Sequence, residues 1–157
     1  MRNYVHVITM LAIAAAVGGC SAASMMALDK AGGDIKVGSV SEIVPDNEEF
    51  AVLPFEIPDA NRFSCSEEER AYFVTAMVRE INKSARWRAR PGAAGTAKYF
   101  VRAQAVERKA WFRLYRDGRV DPIYEYSRSY SADDFNTKWF FSMAAEQFVQ
   151  GLKDGHS

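Results

Sequence analysis

The chain has 157 residues, of which 48% are hydrophobic and 13% aromatic, with 20 basic and 20 acidic side chains. This composition excludes a collagen-like or disordered chain, because neither has the apolar content that a packed core needs. The length predicts one domain, and the zero net charge argues against a general nucleic-acid binder, which needs an excess of cations. Two cysteines are too few for a disulfide-rich scaffold or a four-cysteine zinc site.

The first twenty residues have the pattern of an export signal. Arg2 supplies positive charge, and an apolar run over residues 4–17 follows, interrupted only by His6 and Thr9. This run is shorter than the roughly 20 apolar residues that cross a bilayer. It therefore predicts a signal peptide over residues 1–19 and not a permanent membrane helix.

The end of this segment, VGGC at residues 17–20, resembles the bacterial lipobox, in which an aliphatic residue and two small residues precede an obligatory cysteine. The resemblance implies that the Cys20 thiol is linked to diacylglycerol, that the chain is cut before Cys20, and that the new amino group is acylated. Ser21 stands where lipoproteins kept in the inner membrane carry aspartate. The resemblance therefore implies a lipid anchor in the outer membrane, with the domain facing the periplasm. The alternative is an ordinary secretory signal followed by a chance cysteine.

Residues 20–47 are predicted to form a flexible tether, because they are small, polar and glycine-bearing and show no sustained periodicity. Met25, Met26 and Leu28 are the side chains of this tether that could dock on a surface. The folded domain is then expected over residues 48–154.

The domain begins with a predicted core strand at residues 50–55, a short apolar run. Ser66 and Glu69 then have the spacing of a capping box, which predicts a helix over residues 67–83 with one apolar stripe. A short strand is predicted at residues 85–88.

Apolar and polar side chains alternate over residues 98–107, which predicts a half-buried strand. The last predicted helix covers residues 134–153. These elements favour an α+β fold in which two amphipathic helices pack on one face of a small, mostly antiparallel sheet. The expected core includes Val52, Leu53, Met77, Tyr99, Val101 and Phe148.

Between that strand and the last helix, the dipeptide Asp117-Gly118 separates apolar segments at residues 111–116 and 119–126, which predicts a hairpin with a two-residue turn. Pro122 cannot donate a hydrogen bond to a strand ladder, so the second strand is expected at an edge or with a bulge.

Both faces of this hairpin are apolar, and only one of them can face the helices. The face expected to join the core has the larger aromatic side chains and comprises Trp111, Tyr115, Val120 and Tyr124. The other face carries Phe112, Leu114 and Ile123, surrounded by Arg116, Arg119 and Asp121. An apolar cluster ringed by charge is typical of a protein contact surface, so this second face is the predicted partner-binding patch. The alternative is that a neighbouring loop or the tether covers it.

Charge is distributed unevenly along the chain. Residues 42–69 contain nine acidic side chains and one basic, whereas residues 83–109 contain eight basic and one acidic. One interpretation is a solvated surface on which acidic and basic elements partly neutralise each other. The other is an anionic partner, such as a glycan, a lipid headgroup or an acidic protein face. The side chains that would bind it are Arg86, Arg88, Arg90, Lys98 and Arg102.

No residue pattern predicts catalysis, a metal site or a cofactor. His6 leaves with the signal and His156 lies in the C-terminal tail, so neither is expected to serve as a base or metal ligand in the core. Glycine-rich phosphate loops are missing from the sequence, and its acidic pairs stand where helix N-termini favour negative charge. Cys65, the one thiol left after lipidation of Cys20, is expected to be buried or merely tolerated, with an intermolecular bridge as the alternative.

The segment FAVLPFE at residues 50–56, followed by an amphipathic helix and AKYFVRAQAVE at residues 97–107, resembles periplasmic domains of small bacterial lipoproteins. These are the curli-secretion channel proteins of the CsgG type, the activators of penicillin-binding proteins of the LpoB type, and the N-terminal domain of TolB. The resemblance implies an α/β regulatory or assembly domain. A pore is not expected, because the chain lacks a pair of long membrane-inserting hairpins.

The sequence therefore favours a non-enzymatic, membrane-anchored periplasmic lipoprotein that binds or assembles an envelope machine or the cell wall. Its expected partners are the membrane, through the lipid, and a protein of the cell envelope or a second copy of the chain, with no nucleic acid. The alternative is a subunit of an oligomeric secretion or conjugation complex similar to the curli channel.

Overall fold

The computed structural model describes residues 34–58, 65–106, 108–130 and 137–156. Cys20, the predicted tether up to residue 33 and the expected start of the last helix at residues 134–136 lie outside these residues. The described elements in chain order are β1 (Ile35–Val37), β2 (Glu49–Val52), α1 (Glu67–Lys83), β3 (Arg88–Pro91), β4 (Tyr99–Val106), β5 (Lys109–Arg116), β6 (Tyr124–Ser129) and α2 (Thr137–Asp154).

The six strands form one mixed sheet in the order β1-β6-β5-β4-β2-β3. β2 pairs in parallel with both β3 and β4, and the other three pairings are antiparallel. Rings from both helices reach the same side of β5, since Phe73 of α1 and Phe140 of α2 both pack on Phe112. The predicted α+β class, with both helices on one face of the sheet, is confirmed.

Helix α1 begins and ends where the sequence predicts. The Ser66 hydroxyl accepts the Glu69 backbone N–H at 3.2 Å, and the Glu69 carboxylate accepts the Ser66 N–H at 2.7 Å, so the capping box is formed. These contacts satisfy two N–H groups that a helix start leaves without partners. The predicted apolar stripe packs inward through Phe73, Met77 and Ile81.

An aromatic cluster fills the space between the helices and the sheet. Phe55 lies 4.8 Å from Phe141 and 5.6 Å from Phe73, measured between ring centroids, and Phe73 lies 5.8 Å from Phe112. Such pairs add to the stabilisation from burial alone. All the residues expected in the core are buried except Leu53, which is half-buried.

The strand predicted at residues 85–88 begins three residues later, at Arg88. Ala85 is the reason, because its φ of 59° is left-handed and turns the chain out of helix α1. Its N–H still bonds the Asn82 carbonyl at 3.3 Å, as a helix end does. Residues 85–87 of the predicted strand therefore connect helix α1 to β3.

The prediction of a tether up to residue 47 is wrong for residues 34–47, which belong to the folded domain. β1 pairs antiparallel with β6, and the Ser41 N–H then bonds the Ile123 carbonyl at 2.8 Å. Val44 is fully buried. β6 is consequently an interior strand, so the first alternative predicted for Pro122, an edge strand, is wrong. Pro122 lies in the irregular segment before β6, outside the ladder.

The hairpin has a different register from the one predicted. A turn does form at Asp117-Gly118, where the Arg119 N–H bonds the Arg116 carbonyl at 3.0 Å and Gly118 has a φ of 79°. The chain then leaves the ladder and rejoins it beyond Pro122, so Tyr124 pairs with Leu114 instead of Trp111. The observed pairing is shifted by three residues from the predicted one. Because side chains alternate between the two faces of a strand, a shift by an odd number of residues exchanges those faces.

Candidate protein-binding surface

The exchanged register reverses the prediction for the hairpin faces. Phe112, Leu114 and Ile123, the predicted partner-binding side chains, are fully buried against the helices. That part of the prediction is wrong, and these three residues belong to the core. On the face expected to be buried, Tyr124 alone is buried, whereas Val120 is 91% exposed.

Arg116 and Arg119, the other two predicted partner-binding residues, lie together at the end of the hairpin. Both contact Glu42, with nitrogen–oxygen distances of 2.8 Å for Arg116 and 3.2 Å for Arg119. They therefore fasten the segment after β1 to the hairpin and do not border an exposed apolar cluster.

The side of the sheet opposite the helices is the strongest candidate for a binding surface, and we call it the open face. On the three longest strands it carries Phe100, Arg102, Gln104, Val106, Lys109, Trp111, Arg113, Tyr115, Glu125, Ser127 and Ser129, of which Ser127 is buried. Aromatic side chains and arginine are the residue types enriched at protein interfaces. Exposed sheet faces of monomers are more often polar.

Contacts within the open face hold its large side chains in fixed positions. The Phe100 and Tyr115 rings stack at 5.2 Å with 10° between their planes. The Arg113 guanidinium lies 4.8 Å from the Trp111 ring centre and also bonds Glu125 at 2.6 Å. A surface ordered in this way loses less side-chain entropy when a partner binds.

The acidic and basic stretches of the sequence largely pair with each other along β2, β3 and β4. Arg86 bonds Asp46 at 2.8 Å, and Lys98 bonds Glu48 at 2.7 Å. Arg90 bonds Glu49, and both oxygens of Glu56 accept from Arg102. Four of the five cations that were considered for binding an anionic partner are therefore paired with acidic side chains of the chain itself. This supports the interpretation that the acidic and basic stretches neutralise each other.

The fifth cation, Arg88, makes no ion pair within the described residues, and the same holds for Lys36 and Lys109 on the open face. Asp34 is the one carboxylate on this side of the sheet that is likewise without an ion pair among the described residues, so the described part of the open face has an excess of positive charge. Such a surface complements an acidic partner.

Cys65 lies just before helix α1 and is partly buried. Burial, with a contribution from the Glu69 carboxylate, raises the pKa of the Cys65 thiol to about 11. The thiol is therefore protonated at neutral pH, which is the opposite of what a cysteine nucleophile needs.

His156 is not part of a free tail, contrary to the expectation from the sequence. Its Nε2 accepts the Val44 N–H at 2.7 Å, so its Nδ1 carries the proton that it donates to the Leu152 carbonyl at 2.6 Å. The ring also packs edge-on against Trp87. This histidine fastens the C-terminus to the segment after β1, and both its nitrogens are used in doing so.

A groove of about 520 Å³ lies between β1 and the last turns of helix α2. Ile35 and Val37 border it, and Gly151 and Tyr126 form part of its wall. Beside it the Tyr124 hydroxyl is buried and has no hydrogen-bond partner among the described residues. Desolvation raises the pKa of this phenol well above its usual value, so it remains neutral.

The described residues hold neither a metal-binding cluster nor a membrane-spanning helix. They contain no group of three or more histidine, cysteine, aspartate or glutamate side chains that could hold a metal ion. None of their helices is both long enough and apolar enough to cross a bilayer.

Comparison with known proteins shows a fold but no family. No family model and no curated protein matches the chain. Among solved structures, it is similar to the PelC dodecamer from Paraburkholderia phytofirmans, with 11% identity and a TM-score of 0.53 over 77% of this chain and 97% of the other. A variant of the same dodecamer gives 8% identity and a TM-score of 0.55 over 76% and 97%.

Proposed function

We propose that this chain is a non-enzymatic lipoprotein, anchored in the outer membrane through Cys20, whose periplasmic domain binds a protein of the cell envelope with its open face. The observation that carries this proposal is the side of the sheet opposite helices α1 and α2, where Trp111, Tyr115 and Arg113 are partly exposed and held in place. The partner surface that fits is acidic, because the cations of the open face outnumber its carboxylates.

Replacing Trp111 with alanine is expected to abolish partner capture after mild cross-linking in intact cells. Trp111 is at the centre of the open face, and truncating a central tryptophan at an interface typically costs more than tenfold in affinity. The matched control is Trp139→Ala, because Trp139 is 51% exposed but belongs to helix α2, on the other side of the sheet. Equal loss of the cross-linked partner in both variants, or in neither, would contradict the proposal.

The anchor has its own test, in which Cys20 is replaced by serine. Without the thiol no diacylglycerol can be attached, so we expect unprocessed precursor or a soluble species in place of mature protein in the outer-membrane fraction. Cell fractionation with immunodetection measures this directly. A membrane fraction unchanged by Cys20→Ser would refute the lipoprotein assignment.

We infer as a second candidate that the chain is a subunit of an oligomeric secretion or conjugation complex. The similarity in fold to PelC, which was solved as a dodecamer, supports this candidate. Cross-linking of the purified full chain distinguishes the two, since the second candidate requires products that contain this chain alone.

A further inference from the structure

The two edges of the sheet differ in whether another strand can be added to them. At the β3 edge, the side chain of Asn82 bonds both backbone groups of Ala89, accepting from its N–H at 2.9 Å and donating to its carbonyl at 3.2 Å. The next outward-facing residue is Pro91, which has no N–H. This edge is closed to pairing.

Among the described residues, no strand pairs with the outer edge of β1. The Ser129 N–H bonds the Asp34 carbonyl at 3.0 Å, and the Gly38 N–H bonds the Glu125 carbonyl at 2.8 Å. Because hydrogen bonding alternates along an antiparallel strand, Lys36 points its backbone groups to β6, whereas Ile35 and Val37 point theirs away from the sheet. Their side chains are 41% and 54% exposed, at the rim of the groove beside α2.

We propose that two copies of the chain join through this edge, with β1 of each pairing antiparallel to β1 of the other about a two-fold axis at Ile35. This proposal rests on the second candidate function, self-association, and names the surface that carries it. The Ile35 residues of the two copies would exchange both backbone hydrogen bonds. Their side chains would meet on the helix side, between the two grooves, and leave water there.

The charges of the β1 side chains favour the register with Ile35 on the axis over the register with Lys36 on the axis. With Ile35 on the axis, Asp34 of each copy stands directly opposite Lys36 of the other, on the open-face side. With Lys36 on the axis, two lysines would oppose each other, which is destabilising. Asp34 and Lys36 are both exposed, and neither makes an ion pair within the described residues. Their charges are therefore available to a second copy.

Disulfide trapping in cell envelopes tests both the interface and its register, in the full chain with Cys65 replaced by serine. Ile35→Cys should form a cross-linked dimer, because directly opposed residues in such a pair lie about 5.5 Å apart between Cα atoms, within disulfide range. Co-expressed Asp34→Cys and Lys36→Cys chains should cross-link to each other. Lys36→Cys alone should give at least tenfold less dimer. The control for random collision is Val120→Cys, at an exposed site away from β1.

The outcomes separate this interface from self-association in general. The proposal would be overturned if Ile35→Cys gave no more cross-linked dimer than Val120→Cys. It would also be overturned if Lys36→Cys alone formed the dimer efficiently. If a general amine-reactive cross-linker still gives oligomers of this chain in that case, the second candidate function stands and only this interface falls. If it gives monomer as well, both fall.

Discussion

Replacing Phe112 with alanine is expected to lower the free energy of unfolding by about 3–5 kcal/mol, the typical cost of removing a buried phenylalanine side chain. Phe112 is fully buried and packs on Phe55, Phe73 and Tyr126, so its loss leaves a cavity between three elements. Urea unfolding of the full chain, followed by tryptophan fluorescence and circular dichroism, measures the change.

The matched control is the preceding residue, Trp111, which points to the open face of the same strand. Trp111→Ala is expected to cost less than Phe112→Ala, because part of the Trp111 side chain is already exposed to solvent, whereas Phe112 is fully buried. A greater loss for Trp111→Ala than for Phe112→Ala would show that the faces of β5 are assigned the wrong way round.

The contact of Gly151 with Tyr124 should produce the second large effect. A Cβ on Gly151 would overlap the Tyr124 hydroxyl and lie 3.0 Å from a methyl group of Val37. Overpacking of this kind typically costs about 1–3 kcal/mol. Gly151→Ala is therefore expected to destabilise the domain by that amount, measured by the same unfolding experiment.

Tyr124→Phe is expected to leave stability unchanged or to raise it, because the hydroxyl that it removes is buried and has no hydrogen-bond partner in the described part of the chain. It also removes the atom that a Cβ on Gly151 would meet first. The double variant Gly151→Ala/Tyr124→Phe should therefore have a free energy of unfolding at least about 1 kcal/mol higher than the sum of the two single effects predicts. Additive effects would show that the overlap is relieved elsewhere.

Features set by neighbouring residues were predictable from the sequence. Helix α1 has the predicted bounds because Ser66 and Glu69 fix its start through contacts only three residues apart. The face of β4 was also predictable, since Tyr99, Val101, Ala103 and Ala105 are all buried and the polar side chains of the strand, Arg102 and Gln104, lie between them.

The register of the hairpin could not be predicted from its turn signal. Asp117-Gly118 does turn the chain, but the following residues leave the ladder before Tyr124 resumes it. Both faces of β5 carry apolar side chains, so the hydrophobic pattern of this strand does not show which face is buried. The pattern therefore could not reveal that the predicted pairing was wrong by three residues. The open face was therefore mistaken for core, although Trp111 and Arg113 are the residue types expected at an interface.

Features that depend on distant partners were also missed. β1 has three residues and acquires its structure only from β6, more than eighty residues later in the chain. His156 likewise becomes structural through Val44, and that contact spans 112 positions. Neither segment has a hydrophobic period long enough to reveal its role locally.

The most direct test of the open face as the binding surface is site-specific photo-cross-linking in living cells. A benzophenone amino acid replaces Tyr115 on the open face in one strain and Trp139 on helix α2 in another. We expect one prominent adduct between the Tyr115 position and another envelope protein, with no such adduct from the Trp139 position. Adducts from the Trp139 position alone, or the same adduct from both, would contradict it.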